Sequence, residues 1–217
     1  MIERALASLR RGPAAGFAPI APDASSTSLD LDLFDLERSQ AEARKAEKLE
    51  RLYHKGQRLA WDGKDVLQQL VAEHGAPSLP PREAAALRRL FAVILWGELA
   101  AWKISADLAL RIGSVEAKMA ATQQAHDEAR HFYVMHDYLE LLDYAPRDLG
   151  PATRRVLEGT LGSTNLVKKL MGMQMMIEPM ALTLFQLVRS RRLEPVLADL
   201  LVYYERDEAR HVGPPNC

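Results

Sequence analysis

A pentapeptide that can bind metal occurs twice in the chain. The residues Asp-Glu-Ala-Arg-His stand at 127–131 and again at 207–211. Each copy holds a glutamate and a histidine three positions apart, and residues i and i+3 share one face of an α-helix, so both side chains can reach one ion. Sixteen glutamates and six histidines placed at random in 217 positions give about 0.4 such pairs. Two pairs inside identical pentapeptides therefore indicate metal binding.

Two further glutamates precede the glutamates of the two pentapeptides by equal distances along the chain. Glu98 lies 30 residues before Glu128, and Glu178 lies 30 residues before Glu208. Both have apolar neighbours at helical spacing, and a carboxylate in the centre of an apolar stripe costs several kcal/mol unless it is paired or bound to a metal. The sequence therefore predicts six metal ligands: Glu98, Glu128, His131, Glu178, Glu208 and His211.

The equal spacing predicts how these ligands meet. The midpoints of the two intervals are Gly113 and Leu193, and each falls in a predicted break between helices. Each glutamate is about 15 residues, or about 22 Å of helix, from its turn. In two antiparallel hairpins that pack together, all six ligands reach one layer. Four carboxylates and two imidazoles suit two Fe or Mn ions better than zinc, which favours fewer and softer ligands, or calcium, which avoids histidine. The alternative is a bundle stabilised by buried salt bridges.

The elements that must position the ligands follow from apolar periodicity and helix breakers. Ser114 is a predicted N-cap, and Pro195 suits the first position of a helix. No segment shows sustained period-2 alternation, so the fold class is all-α, a bundle of four long helices with two short turns and one long connection. Helices are predicted over 33–58, 81–112, 115–144, 152–161, 165–189 and 195–212. The predicted divisions are a flexible tail over 1–33, a helical extension over 34–80 and the bundle over 81–217.

Composition excludes several other classes of protein. The chain has 217 residues, 48% of them apolar, and a formal net charge of −1, so no basic excess indicates a nucleic-acid groove or an anionic membrane surface. The one cysteine, Cys217, excludes a disulfide framework and thiolate metal sites. No uncharged apolar run reaches the ~18–20 residues of a membrane span, and no secretory signal is evident. The cytoplasm is the expected compartment.

The ligand pattern resembles that of the ferritin-like di-iron carboxylate superfamily. There, one glutamate on each of two helices and an E-x-x-H pair on each of the other two hold the metal ions. The resemblance covers about residues 45–212 and is strongest to the branch of ribonucleotide-reductase small subunits and di-iron oxygenases, which the segment 52–61 also resembles. The 30-residue spacing is similar to that of quinone-ring hydroxylases in the same superfamily. The resemblance implies a ferritin-like antiparallel four-helix bundle with a long crossover and an N-terminal helical extension.

The resemblance also implies residues behind the ligands. In relatives, an aspartate that precedes the E-x-x-H glutamate hydrogen-bonds the metal-bound histidine of the opposite repeat and fixes its tautomer. Asp127 is therefore expected to support His211, and Asp207 to support His131. The alternative is an exposed carboxylate paired with a neighbouring arginine.

The activity implied by the resemblance is that of an O2-activating di-iron oxidase or oxygenase on a small, largely apolar organic substrate. Its expected cofactors are two Fe ions, with a Mn/Fe pair as the second option. Its expected partners are O2, the substrate and an electron donor that the sequence does not identify. A homodimer is expected from the family. One alternative is a radical-generating or Mn/Fe ribonucleotide-reductase-like protein. Such relatives place a tyrosine four residues after the first E-x-x-H histidine, where this chain has Met135. Ferritin-type iron storage and a non-catalytic bundle are the others.

Three expectations concern the surroundings of the ligands. The five methionines between 171 and 180, with Trp96 and Trp102, are expected in the core, and a secondary hypothesis places some methionines in an apolar substrate pocket beside Glu178. Pro179 lacks a backbone N–H and should bend its helix, which can open such a pocket. The chain ends six residues after His211, whereas relatives continue the fourth helix, so a C-terminal truncation is expected that leaves this ligand in a fraying last turn.

Overall fold

Helices are the regular elements of the part of the chain that the structure, a computed structural model, describes. That part comprises Glu37, residues 47–146 and residues 149–212, and it contains no strand, so the all-α prediction is confirmed there. The helices are α1 Glu47–Arg58, α2 Gly63–His74, α3 Ala84–Arg111, α4 Val115–Leu141, α5 Pro151–Leu161, α6 Leu166–Met171, a π-helical segment Gly172–Ile177, α7 Glu178–Arg191 and α8 Pro195–Val212.

Two helical hairpins form the bundle. Helix α3 packs along α4 across a short turn, and α7 packs against α8 across another. Helix α5 lies in the connection between the hairpins and packs on α3. Helix α1 packs on α4, and α2 packs on both α4 and α8. The arrangement is the four-helix bundle with a crossover and a helical extension that the sequence predicts.

The helix ends follow local side-chain chemistry. The Ser114 side chain accepts a hydrogen bond from the N–H of Ala117 at 3.4 Å, which confirms the predicted N-cap of α4. Helix α4 ends at Leu141 rather than at the predicted Tyr144, because Asp143 adopts a left-handed conformation with φ 49°. The N–H of Tyr144 then bonds the carbonyl of Leu139 at 3.0 Å, which closes the helix end in the manner of a Schellman motif.

Two other boundaries differ from the sequence prediction. Helix α3 begins at Ala84 rather than at Pro81, since residues 81–83 form a turn. Helix α2 is not among the predicted helices, although Asp62 caps its first turn by accepting from two backbone N–H groups. Most of the predicted first helix before Glu47 lies outside the described residues, as does the predicted tail over 1–33.

The helical run before Pro179 widens into a π-helical turn over Gly172–Ile177. The N–H of Glu178 bonds the carbonyl of Met173, five residues back instead of four. A proline in a helix has no N–H to donate, and its ring clashes with the carbonyl four residues before it. The expected effect of Pro179 thus takes the form of an extra residue in the preceding turn, a feature that is frequent at functional sites.

The predicted ligand glutamates fall between two apolar clusters. One cluster contains Leu95 of α3, Val134 of α4 and Phe185 of α7, and the other contains Ala100 of α3 and Ala121 of α4. The described residues from Glu47 onward belong to one compact unit. In the described ranges, no helix combines the length and the apolar character needed to cross a membrane.

The methionine expectation is wrong for four of the five residues. Met173 is fully buried, whereas the others are between 48% and 67% exposed. Those on α6 and in the π-helical segment lie on the outer face, because the inward face there is taken by Met173, Ile177 and Glu178, and Met180 of α7 is partly exposed. Trp102 is also 39% exposed rather than in the core, and Trp96 is half-buried.

Gly63 is expected to be indispensable for docking of α2 on α4. A Cβ at this position would lie 2.7 Å from the hydroxyl of Tyr133 and would overlap a methyl group of Val134. Overpacking of this kind costs about 1–3 kcal/mol. We therefore expect Gly63→Ala to lower the free energy of unfolding by that amount in urea denaturation. Gly159→Ala is the matched control, since nothing lies within 4 Å of its added Cβ and a helical alanine should stabilise. Equal effects of the two substitutions would contradict the packing.

Candidate metal centre

The six predicted ligands lie together in the centre of the bundle. They form two overlapping groups of four, and within each group the potential ligand atoms lie within 4.8 Å of one another. Two glutamates, one from each pentapeptide, belong to both groups. The first group is Glu98, Glu128, His131 and Glu208, and the second is Glu128, Glu178, Glu208 and His211.

The shared glutamates present one oxygen to each half of the cluster. In Glu128, Oε2 lies 3.5 Å from Nδ1 of His131, and Oε1 lies 3.0 Å from Nδ1 of His211. In Glu208, Oε1 lies 3.1 Å from Nδ1 of His131, and Oε2 lies 3.1 Å from Nδ1 of His211. Both carboxylates therefore stand where each could bridge two ions.

The other two glutamates each face one histidine. Oε2 of Glu98 lies 3.4 Å from Nδ1 of His131, and Oε2 of Glu178 lies 3.6 Å from Nδ1 of His211. His211 lies in the last turn of α8, as the sequence predicts, and its side chain still reaches the cluster with only 5% exposure. The other five side chains are buried.

Several buried ligand atoms have no hydrogen-bond partner. Both carboxylate oxygens of Glu128 and Nδ1 of His131 belong to this group, although the cluster surrounds them with charged neighbours at 3.0–3.5 Å. A buried polar atom without a partner costs about 1–3 kcal/mol. Atoms that converge without hydrogen-bond geometry are what a metal-binding set requires, so the residues present fit a pair of ions.

Four of the six candidate ligands have a raised pKa in the metal-free cluster. Burial raises the pKa of Glu98 and of Glu178 well above the ordinary value. Burial opposes charge on His131 and His211, but the surrounding carboxylates outweigh it and raise the pKa of both imidazoles. Burial likewise opposes ionisation of Glu208, yet the hydrogen bond from Glu178 and the charge on His211 lower its pKa. Divalent ions would replace these protons.

Each aspartate of the pentapeptides contacts the histidine of the other hairpin. Nε2 of His131 lies 3.3 Å from Oδ2 of Asp207, and Nε2 of His211 lies 3.3 Å from Oδ2 of Asp127. An N–H donated from Nε2 leaves Nδ1 free to face the cluster. The pairing is the one expected from the sequence, and its effect on metal affinity stays a prediction.

The same aspartates also pair with two buried arginines. Nη2 of Arg130 donates to Asp207 at 2.8 Å and to Asp127, and Nη2 of Arg210 donates to Asp127 at 3.0 Å. Nη1 of Arg210 lies 2.7 Å from Asp207. The indole of Trp61 donates to Asp207 at 2.7 Å, and the guanidinium of Arg130 lies over its ring. The arginine partners that the sequence left as an alternative thus occur together with the histidine partners, in a buried rather than an exposed setting.

Both aspartates are held ionised. Burial opposes this, but hydrogen bonds with His126 and His211 lower the pKa of Asp127. The hydrogen bond and charge of His131, and the charge of Arg210, likewise lower the pKa of Asp207.

Sequence reasoning missed three glutamines that extend the site. The amide of Gln124 donates to Glu178, and Gln174 in the π-helical segment donates to Gln124 at 2.9 Å. Gln123 donates to Asp127 at 3.1 Å. Gln124 stands four residues before Glu128 and so shares its helix face, which is the signal that could have identified it.

The tyrosines near the site have other partners. The ring of Tyr204 stacks on His131 with centroids 4.2 Å apart, and its hydroxyl donates to the backbone carbonyl of His131 at 2.6 Å. Tyr138 donates to Glu194 at 3.0 Å. The hydroxyl of Tyr133 accepts from the first N–H of α2. Tyr204 is therefore the one of these three that touches a candidate ligand, and sequence reasoning missed it.

An apolar cavity of about 220 Å³ opens on one side of the cluster. All four glutamates of the cluster contribute to its lining, and most of its other walls are apolar side chains from α3, α5 and α7. Met180 is the one of the five methionines that lines it, together with Glu178, and the use of this cavity by a substrate stays a prediction. The walls are Val93, Ile94, Gly97, Ala101, Ala152, Thr153, Val156, Leu157, Ile177, Met180, Ala181, Leu184 and Phe185.

Comparison with known proteins adds one likeness of fold. No family model and no curated protein matches the chain. Among solved structures, it is similar to a tyrosine-to-phenylalanine mutant of an R2-like ligand-binding oxidase with an aerobically reconstituted Mn/Fe cofactor, with a TM-score of 0.59. Identity is 21%, over 76% of this chain and 69% of that chain. The chain thus has the ferritin-like fold that its resemblance to the di-iron carboxylate proteins implies, with a buried carboxylate and imidazole cluster that could hold two metal ions.

Proposed function

We propose that the cluster binds two metal ions, Fe/Fe or Mn/Fe, and that the protein is an O2-activating oxidase or oxygenase for a small, largely apolar organic substrate. The observation that carries the proposal is the overlap of two ligand groups through Glu128 and Glu208, beside an apolar cavity that all four glutamates line. The likeness in fold to an oxidase with a Mn/Fe cofactor supports it.

Charge balance supports a pair of divalent ions. The four glutamates supply four negative charges, and two divalent ions supply four positive charges. Behind the imidazoles, two aspartates and two arginines cancel each other. A single divalent ion would leave two of these negative charges uncompensated in a buried site, which is costly unless protons neutralise them.

The protein residues would have three roles in such a reaction. The six ligands hold the ions, and the aspartates hold the imidazoles in the orientation that turns Nδ1 towards the cluster. The apolar walls bind the substrate and exclude water from the reacting group. Two ferrous ions or a Mn/Fe pair, if held by these six residues, would supply the electrons and the Lewis acidity for O2 activation. An electron donor is a further partner in this proposal, and a homodimer and a cytoplasmic location stay predictions.

No observation on the described residues favours a stored tyrosyl radical. A stored tyrosyl radical needs a tyrosine with a proton acceptor close to the ions. Tyr204 lies close to His131, but its proton is held by a backbone carbonyl, and Met135 is buried at the position where relatives have a tyrosine.

Oxygen consumption by the iron-loaded protein tests the proposal. Protein loaded anaerobically with Fe(II) is mixed with O2, with and without a chemical reductant, and with and without small apolar compounds. Without the reductant we expect uptake of about one O2 molecule per pair of ions. With the reductant, a compound that fits the cavity should accelerate repeated uptake and yield an oxidised product. Slow oxidation at the rate of free Fe(II) would contradict enzyme activity, whereas accumulation of many ferric ions per chain would indicate storage.

Gly97 should control access to the cavity. It lines the cavity beside Glu98, and nothing lies within 4 Å of a Cβ built on it, so a larger side chain has room only at the expense of the cavity. We expect Gly97→Leu to abolish the rise in melting temperature that benzene, toluene or indole causes in the wild-type protein, since binding to the folded state alone stabilises it. Metal content should stay unchanged.

Gly159→Leu is the matched control for Gly97→Leu. This glycine is also free of contacts within 4 Å, but it does not line the cavity. The apolar compounds should stabilise Gly159→Leu as they stabilise the wild type. Equal ligand-induced shifts in the wild type and in Gly97→Leu would show that the compounds bind elsewhere.

A further inference from the structure

A buried network of four charges lies behind the two histidines. It consists of Asp127, Arg130, Asp207 and Arg210, and each arginine contacts both aspartates. Both aspartates are fully buried, and both arginine side chains are 4–5% exposed. Its members come from the two identical pentapeptides, so helices α4 and α8 contribute one aspartate and one arginine each.

The network is built crosswise between the two halves of the metal centre. The aspartate that supports His131 is Asp207 of the other hairpin, and the aspartate that supports His211 is Asp127. Both arginines tie these aspartates to each other. If either imidazole moves, the aspartate behind it is disturbed. That aspartate contacts the same two arginines as the aspartate behind the other imidazole.

The two arginines make their contacts in different ways. Arg130 reaches both aspartates through the single nitrogen Nη2, at 2.8 Å in the case of Asp207. Arg210 reaches them through two nitrogens. Nη2 donates to Asp127 at 3.0 Å, and Nη1 lies 2.7 Å from Oδ1 of Asp207 as an ion-pair contact. A lysine has one ammonium nitrogen and cannot place two nitrogens in these positions.

We propose that Arg130 and Arg210 are positioning residues that couple the two metal positions, so that the ion bound at one half orders the ligands of the other and the two ions load cooperatively. The proposal rests on the metal centre proposed above. It assigns a role to the arginine of each pentapeptide, which is neither a ligand nor a direct partner of an imidazole.

Electron paramagnetic resonance of Mn(II) at substoichiometric loading tests the coupling. Two Mn(II) ions bridged by carboxylates give a spin-coupled spectrum that differs from that of isolated ions. With one Mn(II) per chain, the wild type should show coupled pairs and leave about half of the chains empty. Arg210→Lys and Arg210→Leu should show isolated ions at this loading, because the first ion no longer prepares the second position. Affinity for the second ion should fall by about 10–100-fold, the usual effect of losing support behind a ligand.

Three other variants separate coupling from general damage. Arg130→Lys keeps a single nitrogen between the aspartates and should retain more of the coupled spectrum than Arg210→Lys. Gly63→Ala weakens the fold without touching the network and should keep coupled pairs. Arg189→Leu removes a half-exposed arginine that pairs with Glu205 and should behave as the wild type.

The outcomes distinguish this inference from the proposed metal centre. A wild type that shows no coupled pair even with two Mn(II) ions per chain would overturn both. Coupled pairs at two ions but isolated ions at one would overturn only the cooperativity. Coupled pairs at one ion per chain in Arg210→Leu would show that the arginines have no part in it.

Discussion

Substitution of Glu128 by alanine should abolish binding of both metal ions. Glu128 presents one oxygen to each half of the cluster, and neither oxygen has a hydrogen-bond partner that would assign it another role. Its loss removes a ligand from both positions and removes one of the bridges between them. We expect the metal content after anaerobic Fe(II) loading and desalting to fall from about two ions per chain to near zero, a loss in affinity larger than the ~10–100-fold typical of outer-shell changes.

A comparison of three variants makes this result specific. Glu98→Ala removes a ligand from one group only and should leave about one ion per chain, a partial loss that reflects its place in the cluster. Glu140→Ala changes an exposed glutamate on the same helix as Glu128 and should leave both ions in place. Equal metal contents for Glu128→Ala and Glu140→Ala would contradict a shared role for Glu128.

Substitution of Glu98 by methionine should stabilise the metal-free protein while it weakens metal binding. Burial raises the pKa of Glu98 well above its ordinary value of 4.5, so the folded protein holds a proton on a carboxyl that the unfolded chain ionises. Such a group contributes its full stabilisation only below the pKa that it has in the unfolded chain. This contribution is lost as the pH rises through the pKa that it has in the folded protein. An apolar side chain of similar volume avoids the cost, and comparable replacements gain about 1–4 kcal/mol.

Urea denaturation at several pH values measures this gain. The advantage of Glu98→Met over the wild type, both metal-free, should grow as the pH rises above 4.5. Added Fe(II) or Mn(II) should reverse the order, because metal binding stabilises the wild type more. Glu194→Met is the control: this glutamate is also buried, but it accepts from Tyr138 and from backbone N–H groups at the start of α8, so its loss should destabilise. If metal-free Glu98→Met is less stable than the metal-free wild type, the claim that Glu98 binds metal at a cost to the stability of the fold is contradicted.

Most of the fold and the whole candidate ligand set could be predicted from the repeated features of the sequence. The distance from Glu98 to Glu128 equals that from Glu178 to Glu208. This predicts two helical hairpins whose ligands stand equally far from their turns, and the structure has two such hairpins. The ligand set and the two hairpins follow from spacing, which helical geometry converts directly into position. The crosswise contacts of Asp127 and Asp207 to the histidines were expected only from the resemblance to the di-iron carboxylate proteins.

Features that depend on packing between helices could not be predicted in this way. The arginines contact both aspartates only because α4 and α8 bring the two pentapeptides face to face. Four of the five methionines were wrongly placed in the core, because their apolar character alone does not show that Met173, Ile177 and Glu178 take the inward face of this helical run. Gly63 marks the docking of α2, but a single glycine in a sequence does not show what lies against it.

The location of bound ions tests the central claim most directly. Crystals soaked anaerobically with Fe(II) should show two anomalous scattering peaks at the iron absorption edge. We expect one peak between Glu98 and His131 and the other between Glu178 and His211, with the carboxylates of Glu128 and Glu208 between them. A single peak, or peaks only at the outer group of His136, Asp137 and Glu140 on α4, would contradict a two-metal centre in the bundle.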